Sequence, residues 1–329
     1  MPWIAAIFYG LKPAVLAIVA AAVMRIGSKV LKNWVMGSLA SLAFIAIFFF
    51  HAPFPTIIIA AALIGYGGGR RWEQVFNVVR SHGAKSTAAG GGAVIDDRHA
   101  TSPHPSPSLA RGAQVLAVGL ALWWLPVLAA GLAQGWSGTL VQESLFFSKA
   151  ALVTFGGAYA VLPYVAQQAV ENFHWLTAPQ MLDGLGLAET TPGPLIMVLQ
   201  FAGFLGGWNH PGNLSPLLAA TLGAALTTWV TFVPCFIWIF LGAPYIELLR
   251  SQTRLTCALS AVTAAVVGVV LNLAVWFGLH VISPSAGRPD WFVIAVAILA
   301  FLALLRFKSG LIPVVCAGAS LGLAKYFLG

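Results

Sequence analysis

Residues 148–170 read SKAALVTFGGAYAVLPYVAQQAV, an apolar run of membrane-spanning length broken by Gly156-Gly157 and Pro163 and closed by two glutamines. A second stretch, QMLDGLGLAETTPGPLIMVLQFAGFLGG (180–207), has the same character around Thr190-Thr191-Pro192-Gly193-Pro194. Paired glycines let the backbone leave helical geometry. Threonine followed by proline is a stop and then a start, because threonine caps and proline suits a first turn. Both stretches therefore read as discontinuous helices set in an apolar surrounding. That pattern belongs to chains that hold a polar ligand inside a membrane.

The rest of the chain supplies the membrane. Of its 329 residues 59% are hydrophobic and only 8% charged, with a mean hydropathy of +0.89. Spanning length is about 20 residues, and apolar runs of that order occupy 13–31, 34–50, 112–133, 214–242, 255–280, 291–305 and 311–328, with a shorter one at 54–69. The fold expected is an all-α polytopic membrane protein. Its formal charge of +8 is spread over short loops, which encodes orientation rather than nucleic-acid binding. Cys235, Cys257 and Cys316 stand singly in apolar runs, with no metal or redox spacing, and read as small buried residues.

Lysine and arginine place the loops. Arg25, Lys29 and Lys32, then Arg70, Arg71, Arg80, Lys85, Arg98 and Arg111, then Arg250 and Arg254, and finally Arg306 and Lys308 mark the inner side. The turn His51–Pro55 and the loop Ser283–Asp290 fall outside. Segment 70–111, rich in Gly, Ser and Pro, reads as a flexible cytoplasmic linker, its His82, His99 and His104 too irregular for a metal site.

A loose repeat joins the two ends. Pro2-Trp3-Ile4 aligns with Pro244-Tyr245-Ile246 and Lys12 with Arg254, and PTIIIAAALIG from Pro55 answers PVVCAGASLG from Pro313. The loop signals place the copies in opposite orientations, the inverted repeat of many secondary transporters. Three units are expected: 1–69 as the later part of a first transporter half, 70–111 as the linker, and 112–329 as a second half carrying the broken helices. Residues 139–243 have no counterpart ahead of the first copy, so the first half is expected to lack about 100 residues.

A half-helix that starts inside a membrane aims free N–H groups and its positive dipole end inward, which suits an anion. The expected anion donors are Thr154, Gly156, Gly157, Tyr159, Thr190, Thr191 and Gly193. Lys149, in an otherwise apolar run, either neutralises the ligand or snorkels to the interface. Glu189 is the expected proton carrier, alone or paired with Lys149. Asp183 reads as a helix cap, Gln167 and Gln168 as interhelical hydrogen bonders, and Trp136, Trp175 and Trp208 as interfacial anchors. His174 and His210 have no partner that the sequence identifies.

Three stretches, FFSKAALVTFGGAYAVLPYVAQQAV (146–170), WLTAPQMLDGLGLAETTPGPLIMVLQFAGFLGG (175–207) and YGLKPAVLAIVAAAVMRIG (9–27), closely resemble the chromate ion transporter family in its long, two-half form. The resemblance implies a multi-pass protein of the bacterial inner membrane that exports chromate, a sulfate-like dianion, using the proton gradient or the membrane potential. An intramembrane enzyme such as a chromate reductase would need a flavin, haem or metal site, and with no dinucleotide fingerprint, His-Glu-x-x-His or paired cysteines no cofactor, metal or enzymatic activity is expected. The family's first half should open with its own Phe-Gly-Gly motif and Pro-Gly-Pro turn, and neither precedes Met1. Sulfate or molybdate as substrate, a homo-oligomer, a complementing second chain, and a non-transporting remnant are the alternatives.

Overall fold

The structure is a computed structural model that describes residues 2–76, 109–154, 158–191, 193–245, 252–282, 289–307 and 309–328. Helices α1 (Pro2–Val30), α2 (Trp34–Phe50), α3 (Phe54–Arg71) and the short α4 (Glu73–Phe76) come first. After them come α5 (Leu109–Gln134), α6 (Thr139–Val153), α7 (Ala158–Gln167) with a π-helical continuation Gln168–Asn172, and α8 (Ala178–Thr190). A 3-10 turn Leu195–Met197 leads into α9 (Val198–Asn209), followed by α10 (Pro216–Gly242), α11 (Thr253–Ile282), α12 (Trp291–Arg306) and α13 (Leu311–Leu328). Five of them, α1, α5, α10, α11 and α13, are long and apolar enough to cross a membrane. Large apolar side chains such as Leu125, Trp238 and Ile298 point outward, as they can where the surrounding solvent is lipid.

Two bodies of helices are bridged by a third layer. In one, α1 packs on α12 and α13 while α11 packs on α2 and α3, and α1 touches α11 between them. The exchange is reciprocal: the long first helix of each terminal segment lies on the second and third helices of the other. Close approach at Gly10, Gly318 and Gly322 seats α1 on α13, and Gly65 and Gly69 seat α3 on α11 beside Cys257 and Ala261. The other body is α5, α6, α9 and α10. Between the two, α7 leans on α11, and α8 contacts α1, α11 and α13.

The connections of the middle layer decide its shape. Thr139 at the head of α6 donates to the His210 carbonyl beyond α9, 2.9 Å away. Asn209 at the end of α9 donates to the Trp175 carbonyl ahead of α8, 2.8 Å away. These ends therefore gather at one place, and α6–α7 and α8–α9 are two hairpins open toward the same side. Each arm is about 20 Å long at helical rise, short of the ~30 Å hydrocarbon layer.

Several expectations need correction. The first helix begins at Pro2, so Lys12 and Arg25 lie inside it rather than at its margins. Arg70, Arg71, Glu73 and Arg111 are helical, so order enters the expected linker from both ends; Asn33 draws α4 in by donating to the Val75 carbonyl at 2.7 Å. Residues 77–108, with the three linker histidines, lie outside the described residues. Trp175 is not an interfacial anchor but is 1% exposed, stacked on Phe173 with centroids 4.4 Å apart. Trp136 and Trp208 are exposed, as an anchor would be. Cys257 is buried, whereas Cys235 and Cys316 are exposed.

Candidate functional site

The two hairpin tips are built from the punctuating residues. Thr154 ends α6 with extended backbone, and its hydroxyl donates to the Ala150 carbonyl at 2.5 Å. Gly156 and Gly157 lie outside the described residues, and helix resumes at Ala158. Thr190 closes α8 and Thr191 is its C-cap, with an N–H bond to the Leu187 carbonyl. The Thr191 hydroxyl donates to the same carbonyl at 2.7 Å. Gly193 follows with φ +156° and open space where a side chain would stand. Pro194 then enters the 3-10 turn that starts the second arm.

The tips meet. The Tyr159 hydroxyl, on the first turn of α7, donates to the Glu189 carboxylate at the last turn of α8, and the Leu195–Met197 turn packs on α7. A cavity of about 500 Å³ opens on the α8–α9 side of the second tip, lined by Gly184, Leu187, Thr191, Gly193, Gln200 and Phe204 among others but not by Tyr159 or Glu189. The structure thus brings Tyr159, Glu189, Thr191 and Gly193 into one neighbourhood. Both described threonine hydroxyl protons are given to their own helices in this conformation. The anion donors on offer are therefore backbone N–H groups at the turns and the cations nearby.

Those cations are not the one the sequence singled out. Lys149 is exposed on α6 and forms no ion pair among the described residues. Arg25 of α1 instead acts electrostatically on Tyr159. Lys12 pairs with Asp183 of α8 at 3.4 Å, with roughly a quarter of each side chain exposed (24% and 22%). Asp183 is consequently a mid-helix ion-pair partner and not a cap; the cap of α8 is Thr177, in a capping box with Gln180. Lys12 was legible as an intramembrane charge by the argument applied to Lys149, because its apolar run extends upstream to Trp3. Arg25 was hidden by its value as an orientation signal.

The open end holds a different set of groups. Gln167 lines a second cavity of about 280 Å³ together with His51, Glu171 and Asn272, where Trp276 donates to Glu171 at 3.0 Å. His174 and His210, unassigned in the sequence, are joined: His210 Nε2 lies 3.1 Å from the His174 carbonyl.

The family described as chromate transporter matches residues 1–66 and 141–323. A chromate transport protein of Cupriavidus metallidurans is 29% identical over 188 residues, covering 57% of this chain and 42% of that protein. One of Pseudomonas aeruginosa is 29% identical over 272 residues, covering 80% and 53%. An uncharacterized transporter of Methanocaldococcus jannaschii is 25% identical over 165 residues, covering 50% and 36%. The chain spans about half the length of the curated relatives it matches. No solved structure matches.

Proposed function

The chain belongs to the chromate transporter family, and from that premise we propose that it moves chromate, or a sulfate-like tetrahedral dianion, out of the bacterial cytoplasm across the inner membrane. The observation that carries the reading is the junction of the two hairpin tips at Tyr159 and Glu189. Arms of about 20 Å are shorter than a hydrocarbon layer of ~30 Å, which supports a junction within that layer, where an ion needs donors in place of water. The tips supply backbone N–H groups at Gly193 and the start of α7, and α1 brings the positive charge of Arg25 toward Tyr159. Gly156, Gly157, Thr154, Thr190 and Lys149 belong to the same proposal, as residues of or beside the tips.

A membrane potential, negative inside, favours exit of a dianion by about 4.6 kcal/mol per 100 mV, twice the single-charge value. Glu189 is proposed as the coupling group, since a carboxylate beside an anion repels it until a proton or its Tyr159 hydrogen bond relieves the charge. The two terminal three-helix segments, 1–69 and the later part of 112–329, are proposed as inverted copies around this site. Their reciprocal packing supports that arrangement.

The test is chromate accumulation in sensitive bacteria carrying this chain, its Tyr159→Phe variant or an empty vector, with membrane insertion verified. Lower accumulation with the chain, and about a tenfold loss of efflux rate in the variant for some 1.4 kcal/mol of lost interaction, supports the reading. An inserted chain that matches the vector for chromate, molybdate and sulfate overturns it for this chain alone. Activity regained only beside a second, family-related chain would identify it as one subunit of the transporter.

A further inference from the structure

Glu143, on the second turn of α6, has 0% of its surface exposed, and neither carboxyl oxygen has a hydrogen-bond partner among the described residues. It is lodged against the seam between α9 and α10. A Cβ at Gly206 would stand 2.1 Å from one oxygen, and a Cβ at Gly223 would stand 2.8 Å from the other. The glycines therefore make the room the carboxyl occupies. On the same seam Thr227, also 0% exposed, keeps its hydroxyl unpartnered and aims it at Gly203, where a Cβ would meet it at 2.2 Å. Its helix neighbours behave differently: Thr221, Thr228 and Thr231 each donate to the carbonyl four residues back. Two polar side chains thus face one buried seam without hydrogen-bond partners among the described residues, although buried polar groups ordinarily have them.

An isolated carboxylate in such surroundings is very costly unless something positive joins it. No positive side chain among the described residues does. On the elements packed against it, α9 carries no titratable group, α10 carries Cys235, α5 carries Arg111 in its first turn, and α7 carries Tyr159 and Tyr164, with Glu171 in its π-helical continuation. On α6 itself Lys149 lies six residues away and faces outward. His174 and His210 flank the open end and bond to backbone carbonyls. The side chain facing Glu143 beyond the glycines is Trp175.

We propose that Glu143, on the buried seam that Thr227 also faces, is a proton-binding site separate from the hairpin tips and loaded from the open side of the hairpins, where α6 begins. The step balances simply: an O–H bond of hydronium breaks and leaves water as an O–H bond forms on the carboxylate, and the reverse unloads it. This rests on the transporter reading for its purpose but not for its test.

The test is infrared spectroscopy of the full chain in lipid nanodiscs, titrated in pH, with Glu143→Gln subtracted and Thr227→Val as a second variant. The expected result is a protonated-carboxyl band that vanishes as pH rises, is missing from Glu143→Gln, and titrates at a displaced midpoint in Thr227→Val. If Glu143→Gln does not insert, Glu143→Asp serves, and the band must shift to the aspartic acid position. A Glu143 band unchanged at every pH at which the chain stays folded overturns the proposal in favour of a fixed structural donor. A carboxylate signal at every pH, shifted by sodium, overturns it in favour of a cation site. The bands are read without transport, so a chain that moves no chromate still shows or lacks the titration on its own account.

Discussion

Tyr159 and Glu189 are 30 residues apart in sequence, and each is ordinary alone: a tyrosine after two glycines, a glutamate before two threonines. Glu189 was legible as a candidate because its neighbours break the helix. Its partner was not, since nothing local specifies which side chain crosses from the other hairpin. Lys12 and Asp183 show the same limit, and their pairing makes a measurable claim. Removing one partner of a largely buried ion pair strands the other charge. Lys12→Met or Asp183→Asn alone should lower stability by about 3 kcal/mol, and Lys12→Met with Asp183→Leu should recover most of it. Thermal unfolding of the purified single and double variants checks this; a loss in the double variant equal to the sum of the two single losses would show that the pair carries no coupling.

At the scale of elements, the breaks were readable because glycine and proline act locally. The ends of α6 at Val153 and of α8 at Thr190, and the restart after Pro194, fall where the sequence puts them. Helix faces were harder to read, because in lipid small residues mark an interface without saying which helix fills it. Gly268 of α11 illustrates the point: a Cβ there would stand 1.9 Å from the Ala40 carbonyl of α2, whereas a Cβ at Gly67 of α3 meets nothing within 4 Å. Gly268→Ala should therefore destabilise by on the order of 1–3 kcal/mol through overpacking against backbone. Gly67→Ala should be neutral or stabilising by up to about 1 kcal/mol from helix propensity. Heating each variant and following its monodisperse fraction by size-exclusion chromatography ranks the two, and an inverted order would refute the packing.

Across the whole molecule, the ends of the chain are fastened on one side. Asp290 caps α12 through the Phe292 and Val293 N–H groups, accepts from Tyr9 of α1, and lies 3.9 Å from Lys325 of α13, which itself donates to Tyr9 at 2.7 Å. Partial burial pushes the Asp290 carboxyl up, but the Tyr9 hydrogen bond, the backbone donors and the Lys325 charge outweigh it and hold the group below its ordinary value. A lowered folded-state value means that this stabilisation is complete above the unfolded carboxylate range, near 4, and disappears as pH falls through the folded value. The stability difference between the intact chain and Asp290→Asn should thus be constant at neutral pH and shrink on acidification below about 4. Melting curves across that range test it; a gap that widens in acid would contradict it.

The reciprocal packing of the terminal segments also bears on how the protein is made. The face of α1 that carries Gly10 rests on α13, which is synthesised long after it, and α2 and α3 rest on α11. Helices α1, α2 and α3 therefore wait in the bilayer, with their closest-fitting surfaces uncovered, until α11 and α13 have been synthesised. Ribosome-bound intermediates should accordingly stay protease-sensitive and open to insertion factors until α13 emerges, and assembly should finish in a single late step.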